Sequence, residues 1–166
     1  MQANRQLPEA IVSDTPVDAR ASLISTIFGG IGLMAAVDEI VFHQLLAWHH
    51  FYDRSTLAIA LLSDGLLHAA ELLMLAAGAY LFVRLSRQRS VSRRHAWAGL
   101  LFGAGGFQLF DGIVDHKLLR LHQVRYVDEL WLYDLAWNGF GVLLLVAGLI
   151  IWRQVGPGRT APRRGE

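Results

Sequence analysis

Val37-Asp38-Glu39-Ile40-Val41-Phe42-His43 sits near the end of an apolar run that begins at Ser22, where charge is least expected. Glu39 and His43 are four residues apart, so on a helix they lie one turn apart on one face. The arrangement recurs in every later apolar run, as Asp64 with His68, Asp111 with Asp115 and Asp134 with Asn138. Four apolar segments, each carrying a polar pair at helical spacing, predict an all-α chain of four spans.

Composition points the same way. A hydrophobic content of 54%, only 17% charged residues and a mean hydropathy of +0.36 over 166 residues depart from the soluble globular class. The apolar blocks run to about 20 residues or more, the length needed to cross a ~30 Å hydrocarbon layer. The expectation is a polytopic membrane four-helix bundle over 21–153, with a polar cytoplasmic tail at 1–20 and a disordered basic tail at 154–166. The chain has no cysteine, which excludes disulfides, thiolate metal centres, Cys-x-x-Cys-His haem attachment and a cysteine nucleophile. Residues 1–20 lack the basic-then-apolar layout of a cleaved signal peptide.

The spans are expected at about Ser22 to Trp48, Thr56 to Val83, His95 to Lys117 and Leu130 to Trp152. Glycines 29, 30, 32, 99, 103, 105 and 106 suggest faces for close helix contact, within the chain or with a membrane-protein partner or second copy. Eleven of the 15 Lys and Arg residues fall on the side of the two termini and of the Arg84 to Arg94 segment, and four on the other. That bias places both termini in the cytoplasm of a bacterial inner membrane. The basic segment reads as a topology signal with affinity for anionic lipid; nothing calls for nucleic acid. In this topology every polar pair falls toward the outer, periplasmic side.

Seven carboxylates lie within the spans: Asp38, Glu39, Asp64, Glu71, Asp111, Asp115 and Asp134. Left bare, such a set costs on the order of 10 kcal/mol even when discounted for interfacial positions. No Lys or Arg lies within the apolar stretches to offset them. Protonation, a water-filled vestibule or a bound cation remain, and histidines among the acids favour the cation, since imidazole with carboxylate is a standard transition-metal ligand set. The candidate ligands are Glu39, His43, Asp64, His68, Asp111, Asp115 and His116, for one or two ions of iron, zinc, manganese or copper. Asp38, Glu71, Asp134 and Asn138 are expected to stand behind them, orienting imidazoles and bridging water. By α-helical geometry, Asp38 and His116 join only from the margin. His49, His95 and His122 read as solvated interfacial residues, Met34 and Met74 as packing rather than copper ligands, and Trp137 as a packed side chain.

The motifs Asp38-Glu39-Ile40-Val41-Phe42-His43-Gln44, Ser63-Asp64-Gly65-Leu66-Leu67-His68, Phe110-Asp111-Gly112-Ile113-Val114-Asp115-His116-Lys117 and Tyr133-Asp134-Leu135-Ala136-Trp137-Asn138 together resemble a bacterial family of predicted membrane proteins, domain of unknown function 2243. The resemblance covers all four spans. It implies metal handling, because members occur beside assembly factors for copper-containing respiratory oxidases. The residues themselves are compatible with a metal-dependent oxidoreductase or a metal-handling accessory of oxidase assembly. A proton or cation relay or transporter, a b-type haem bundle on His43 and His68, and a non-catalytic membrane assembly partner are the alternatives.

Overall fold

The protein is described by a computed structural model over residues 16–154. Its first helix starts where the sequence supplies a cap: the Asp18 carboxylate accepts the Ala21 N–H at 2.8 Å, satisfying one of the free donors of a helix start. Helix α1 (Ala19–Asp38) runs on without a break into a π-helical segment, Glu39–Leu45. Helix α2 is Leu57–Arg87, α3 (Arg93–Phe110) continues into a second π-helical segment, Asp111–Leu118, and α4 is Leu130–Arg153. All four units are long and apolar enough to cross a membrane. The all-α architecture expected from the sequence is the one observed. The tail residues 1–15 and 155–166 lie outside the described residues.

The distribution of polarity is inverted relative to a water-soluble bundle. Leu33, Leu61, Leu66, Leu73, Leu135 and Leu143 are exposed, whereas Asp38, Glu39, Asp64, Glu71, Asp111 and His116 are buried. Lipid rewards this order, because polar groups must find partners inside the protein when no water surrounds it. Trp137 is buried, as expected of a packed side chain.

Helices α1 and α3 form a central pair; α2 packs on α1 and α4 on α3, so the flanking helices do not touch. Glycine sets the approach of the central pair. A Cβ on Gly30 would fall on the Leu100 carbonyl, and one on Gly103 on the Ile27 carbonyl. Gly99 faces the Leu23 carbonyl in the same way, so the Gly99-x-x-x-Gly103 face is a contact within the chain. Gly32 and Gly78 serve α1 against α2, and Gly105 and Gly141 serve α3 against α4. The glycine faces that the sequence offered to a partner are therefore mostly occupied by the chain's own helices. Gly29, Gly65, Gly106 and Gly139 face open space.

Candidate metal centre

Both central helices change hydrogen bonding at their buried acids. In the first π-helical segment Leu46 N–H donates to the Val41 carbonyl at 2.9 Å, and in the second Leu119 N–H donates to Val114 at 2.7 Å. This i→i+5 pattern widens the turn and brings residues five apart toward one face. It corrects the marginal places expected for Asp38 and His116, which assumed α-helical rotation throughout. Asp111 Oδ2 lies 3.1 Å from His116 Nε2, and Asp38 Oδ2 lies 3.7 Å from His43 Nε2. Two residues past the end of each segment stands a residue with positive φ, Ala47 at 47° and Arg120 at 53°. For a residue with a Cβ this conformation is uncommon and costs roughly 1 kcal/mol or more. Each such residue stands two positions before a histidine, His49 or His122, that turns back into the protein.

His49 and His122 were expected to be solvated. Both are buried, and together they form the middle of the centre. Their rings stack with centroids 4.5 Å apart and planes 8° apart. His49 Nδ1 donates to the Val124 carbonyl at 2.9 Å, and His122 Nδ1 donates to the Phe51 carbonyl at 2.9 Å. A carbonyl oxygen can only accept, so each Nδ1 carries a proton and Nε2 is the ring nitrogen left to face a ligand. Burial, with His122 and His43 close by, pushes the His49 imidazole down to about 2, so it stays neutral at ordinary pH. Metal-ligating histidines are held in this manner, with the remote nitrogen fixed by a carbonyl or carboxylate.

The other two imidazoles close on this pair. His116 Nε2 is 2.9 Å from His122 Nε2. His43 Nδ1 donates to Asp64 Oδ1 at 3.1 Å and lies 2.8 Å from Glu39 Oε2, which leaves its Nε2 bare as well. The Nε2 atoms of His43 and His49 have no hydrogen-bond partner. Three groups, His43 with His49 and His122, Asp111 with His116 and His122, and Glu39 with His43 and Asp64, place ligand atoms within 4.8 Å of one another. Asp64 is anchored in turn by His50 Nδ1 at 2.6 Å and the Phe51 N–H at 2.7 Å.

The expected ligands thus divide. Glu39, His43, Asp64, Asp111 and His116 come together. Asp115 is buried beside them but supplies no atom to the three groups. His68 does not arrive: its side chain is 48% exposed and pairs with Glu71 at 2.5 Å, because it stands on the rim of α2 while Asp64, one turn earlier, turns inward. Of the residues expected behind the ligands, Asp38 is in the centre and Glu71 is buried near it. Asp134 is drawn aside by a basic residue just past the apolar stretch of the third span, with Lys117 Nζ 2.7 Å from its Oδ2. Asn138 donates to the Asp134 carbonyl at 2.9 Å. This partly exposed ion pair predicts a modest loss of stability, about 1 kcal/mol, for Lys117→Met. Thermal unfolding in detergent measures it, and metal content should not change.

A signal for the missed histidines was in the chain. Asp-x-Ile-Val-x-His-x-Leu-Leu-x-x-His occurs twice, from Asp38 to His49 and from Asp111 to His122. Equivalent positions make equivalent contacts: the His43–His49 and His116–His122 rings are both 4.5 Å apart, and the two carbonyls that fix His49 and His122 come from matching residues, Val124 and Phe51. The two helical hairpins are parallel repeats about an axis through the stacked pair, as in several membrane folds.

A model for one protein family, described as predicted membrane protein (DUF2243), matches residues 25–155. The chain belongs to that family. The matched region takes in most of α1, the other three helices and every residue of the centre. No curated protein and no solved structure matches the chain.

Proposed function

We propose that this DUF2243 protein is a membrane metalloprotein, with a resident transition metal ion held by His43, His49 and His122 and with Asp111 and His116 completing the ligand set. The observation that carries this reading is the pair of stacked imidazoles, each fixed through Nδ1 so that Nε2 faces inward, that of His49 without a partner and that of His122 against His116 Nε2. Nitrogen-rich ligands with one or two carboxylates suit copper, iron or zinc better than manganese. His122 belongs to two of the three groups, so a second ion could share it.

Burial favours a resident ion over a cargo ion. His43, His49, His116 and His122 are each at most 3% exposed, whereas a protein that hands metal on needs ligands a partner can reach. We therefore read the centre as that of a metal-dependent oxidoreductase, the ion supplying one-electron chemistry when copper or iron is bound. Metal handling for oxidase assembly is the second choice. The excess of basic residues at the opposite end supports cytoplasmic termini and a centre near the outer face of a bacterial inner membrane.

Elemental analysis of detergent-purified protein from metal-replete cells tests the reading. About one ion per chain should survive a chelator wash, and His68→Ala should retain it. Protein free of first-row metal, or loss of the metal in His68→Ala, overturns the assignment.

A further inference from the structure

Beside the centre, between α1 and α4 and floored by α3, lies a cavity of about 360 Å³. That is within the range of small-molecule sites. Half of its lining residues are aromatic, Phe42, Trp48, Tyr133, Trp137 and Phe140, with Gln108 as a buried polar neighbour. The rings meet tilted or edge-on: Phe42 and Trp137 have centroids 4.9 Å apart at 75°, Phe42 and Trp48 5.3 Å at 51°, and Trp48 and Tyr133 5.6 Å at 87°. None stacks face to face on another, so a flat guest can still find ring surface.

The cavity ends against the centre. The Trp137 ring is 5.8 Å from the His116 ring, Phe42 precedes His43 in the chain, and Val124, another wall residue, supplies the carbonyl that fixes His49. Polar groups stand at both ends. The Trp137 indole N–H is buried without a partner, a state that ordinarily costs about 1–3 kcal/mol. The Arg125 guanidinium lies 4.8 Å from the Trp48 ring centroid, with its Nη1 donating to the Tyr133 hydroxyl at 2.6 Å.

The internal repeat supplies the independent argument. Matching the two halves by their motifs pairs Phe42 with Asp115, Trp48 with Leu121, Tyr133 with Ser63, Trp137 with Leu67 and Phe140 with Ala70. The matching positions, which like the originals are drawn from both hairpins, hold no aromatic residue at any of these five places, although Phe107, Phe110 and Phe51 match the wall residues Met34, Val37 and Val124. The fold does not require these five rings on both sides, which points to a guest on this one.

We propose that this cavity binds a lipid-soluble quinone-type molecule: a flat ring entering from the bilayer, gripped on its faces by the aromatic walls and on a carbonyl oxygen by a donor such as the Trp137 indole N–H. A phospholipid acyl chain would use neither the ring faces nor the donor. The inference goes beyond the metal reading and stands without it, because the aromatic lining and the unpartnered N–H are properties of the chain alone.

The test titrates full-length, detergent-purified protein with decylubiquinone and follows tryptophan fluorescence. Saturable quenching is expected. It should weaken roughly tenfold or more when Ala136→Phe fills the cavity, and roughly fivefold when Trp137→Phe keeps a ring but removes the donor. Excess decanol should not compete. Linear quenching that is the same in wild type and both variants, or displacement by decanol as effective as by quinone, overturns the proposal; the second result would mark an acyl-chain site. Should Ala136→Phe fail to fold by circular dichroism, Trp137→Phe carries the test. Metal content measured on the same samples separates a failure here from a failure of the metal reading.

Discussion

The His49→Ala, His122→Ala double variant will fold and insert but will lose its metal, with affinity reduced by well over ~100-fold. Changing groups that merely orient a ligand costs about 10–100-fold, and this change removes two nitrogens outright. The pair is also the point where the halves meet: His122 belongs to both the His43–His49–His122 and the Asp111–His116–His122 groups, so no complete nitrogen set survives. Folding should tolerate the change, since the rings stack on each other between loops that other contacts hold, such as Asp53 N–H to the Leu121 carbonyl at 3.1 Å. Elemental analysis gives the metal content. Thermal melts give a second reading, because a ligand that binds only the folded state raises its stability. Chelator should lower the melting temperature of wild type and leave that of the double variant where it is. A double variant that keeps stoichiometric metal would remove the stacked pair from the centre.

Much of this arrangement was legible in the chain, and the missing parts have physical causes. The four spans followed from block length and hydropathy, because crossing a hydrocarbon layer sets a length that leaves few alternatives. The acids at Asp38, Glu39, Asp64 and Asp111 stood out because charge inside apolar runs is costly. Faces were harder. Rotation at about 100° per residue put Asp38 and His116 at the margin, and the two π-helical segments rotate them in. Position relative to the membrane also misled for His49 and His122: their place past the spans suggested solvent, while a positive-φ residue two positions earlier folds each back. Only the repeated Asp-x-Ile-Val-x-His-x-Leu-Leu-x-x-His pattern betrays them, since a loop has no reason to repeat a histidine at fixed distance from a helix motif. His68 shows the opposite error, a residue with suitable spacing that faces away.

Gly30→Leu and Gly103→Leu should each abolish the assembled fold, and with it metal retention, although both positions are remote from the histidines. A Cβ at Gly30 would overlap the backbone of Leu100 and Ala104, and one at Gly103 would overlap Ile27 and Ile31. Those are the same contact seen from the two halves, at the crossing of α1 and α3. Helix backbone cannot step aside as a flexible side chain can, so the helices must separate along their length. Overpacking a well-filled interior typically costs 1–3 kcal/mol; a clash with rigid backbone that also parts the polar groups beyond it should cost at least about 4 kcal/mol, in the range of the most damaging single substitutions. Separation of α1 from α3 would pull Asp38, His43 and His49 from Asp111, His116 and His122, leaving acids in lipid with neither partner nor ion. Gly29→Leu and Gly106→Leu are the controls, being on the same helices but facing open space; each should express, melt and retain metal nearly as wild type does. Size-exclusion chromatography, circular dichroism melts and metal content distinguish the two pairs. Equal behaviour of all four variants would show that the close crossing of α1 and α3 is not what holds the centre together.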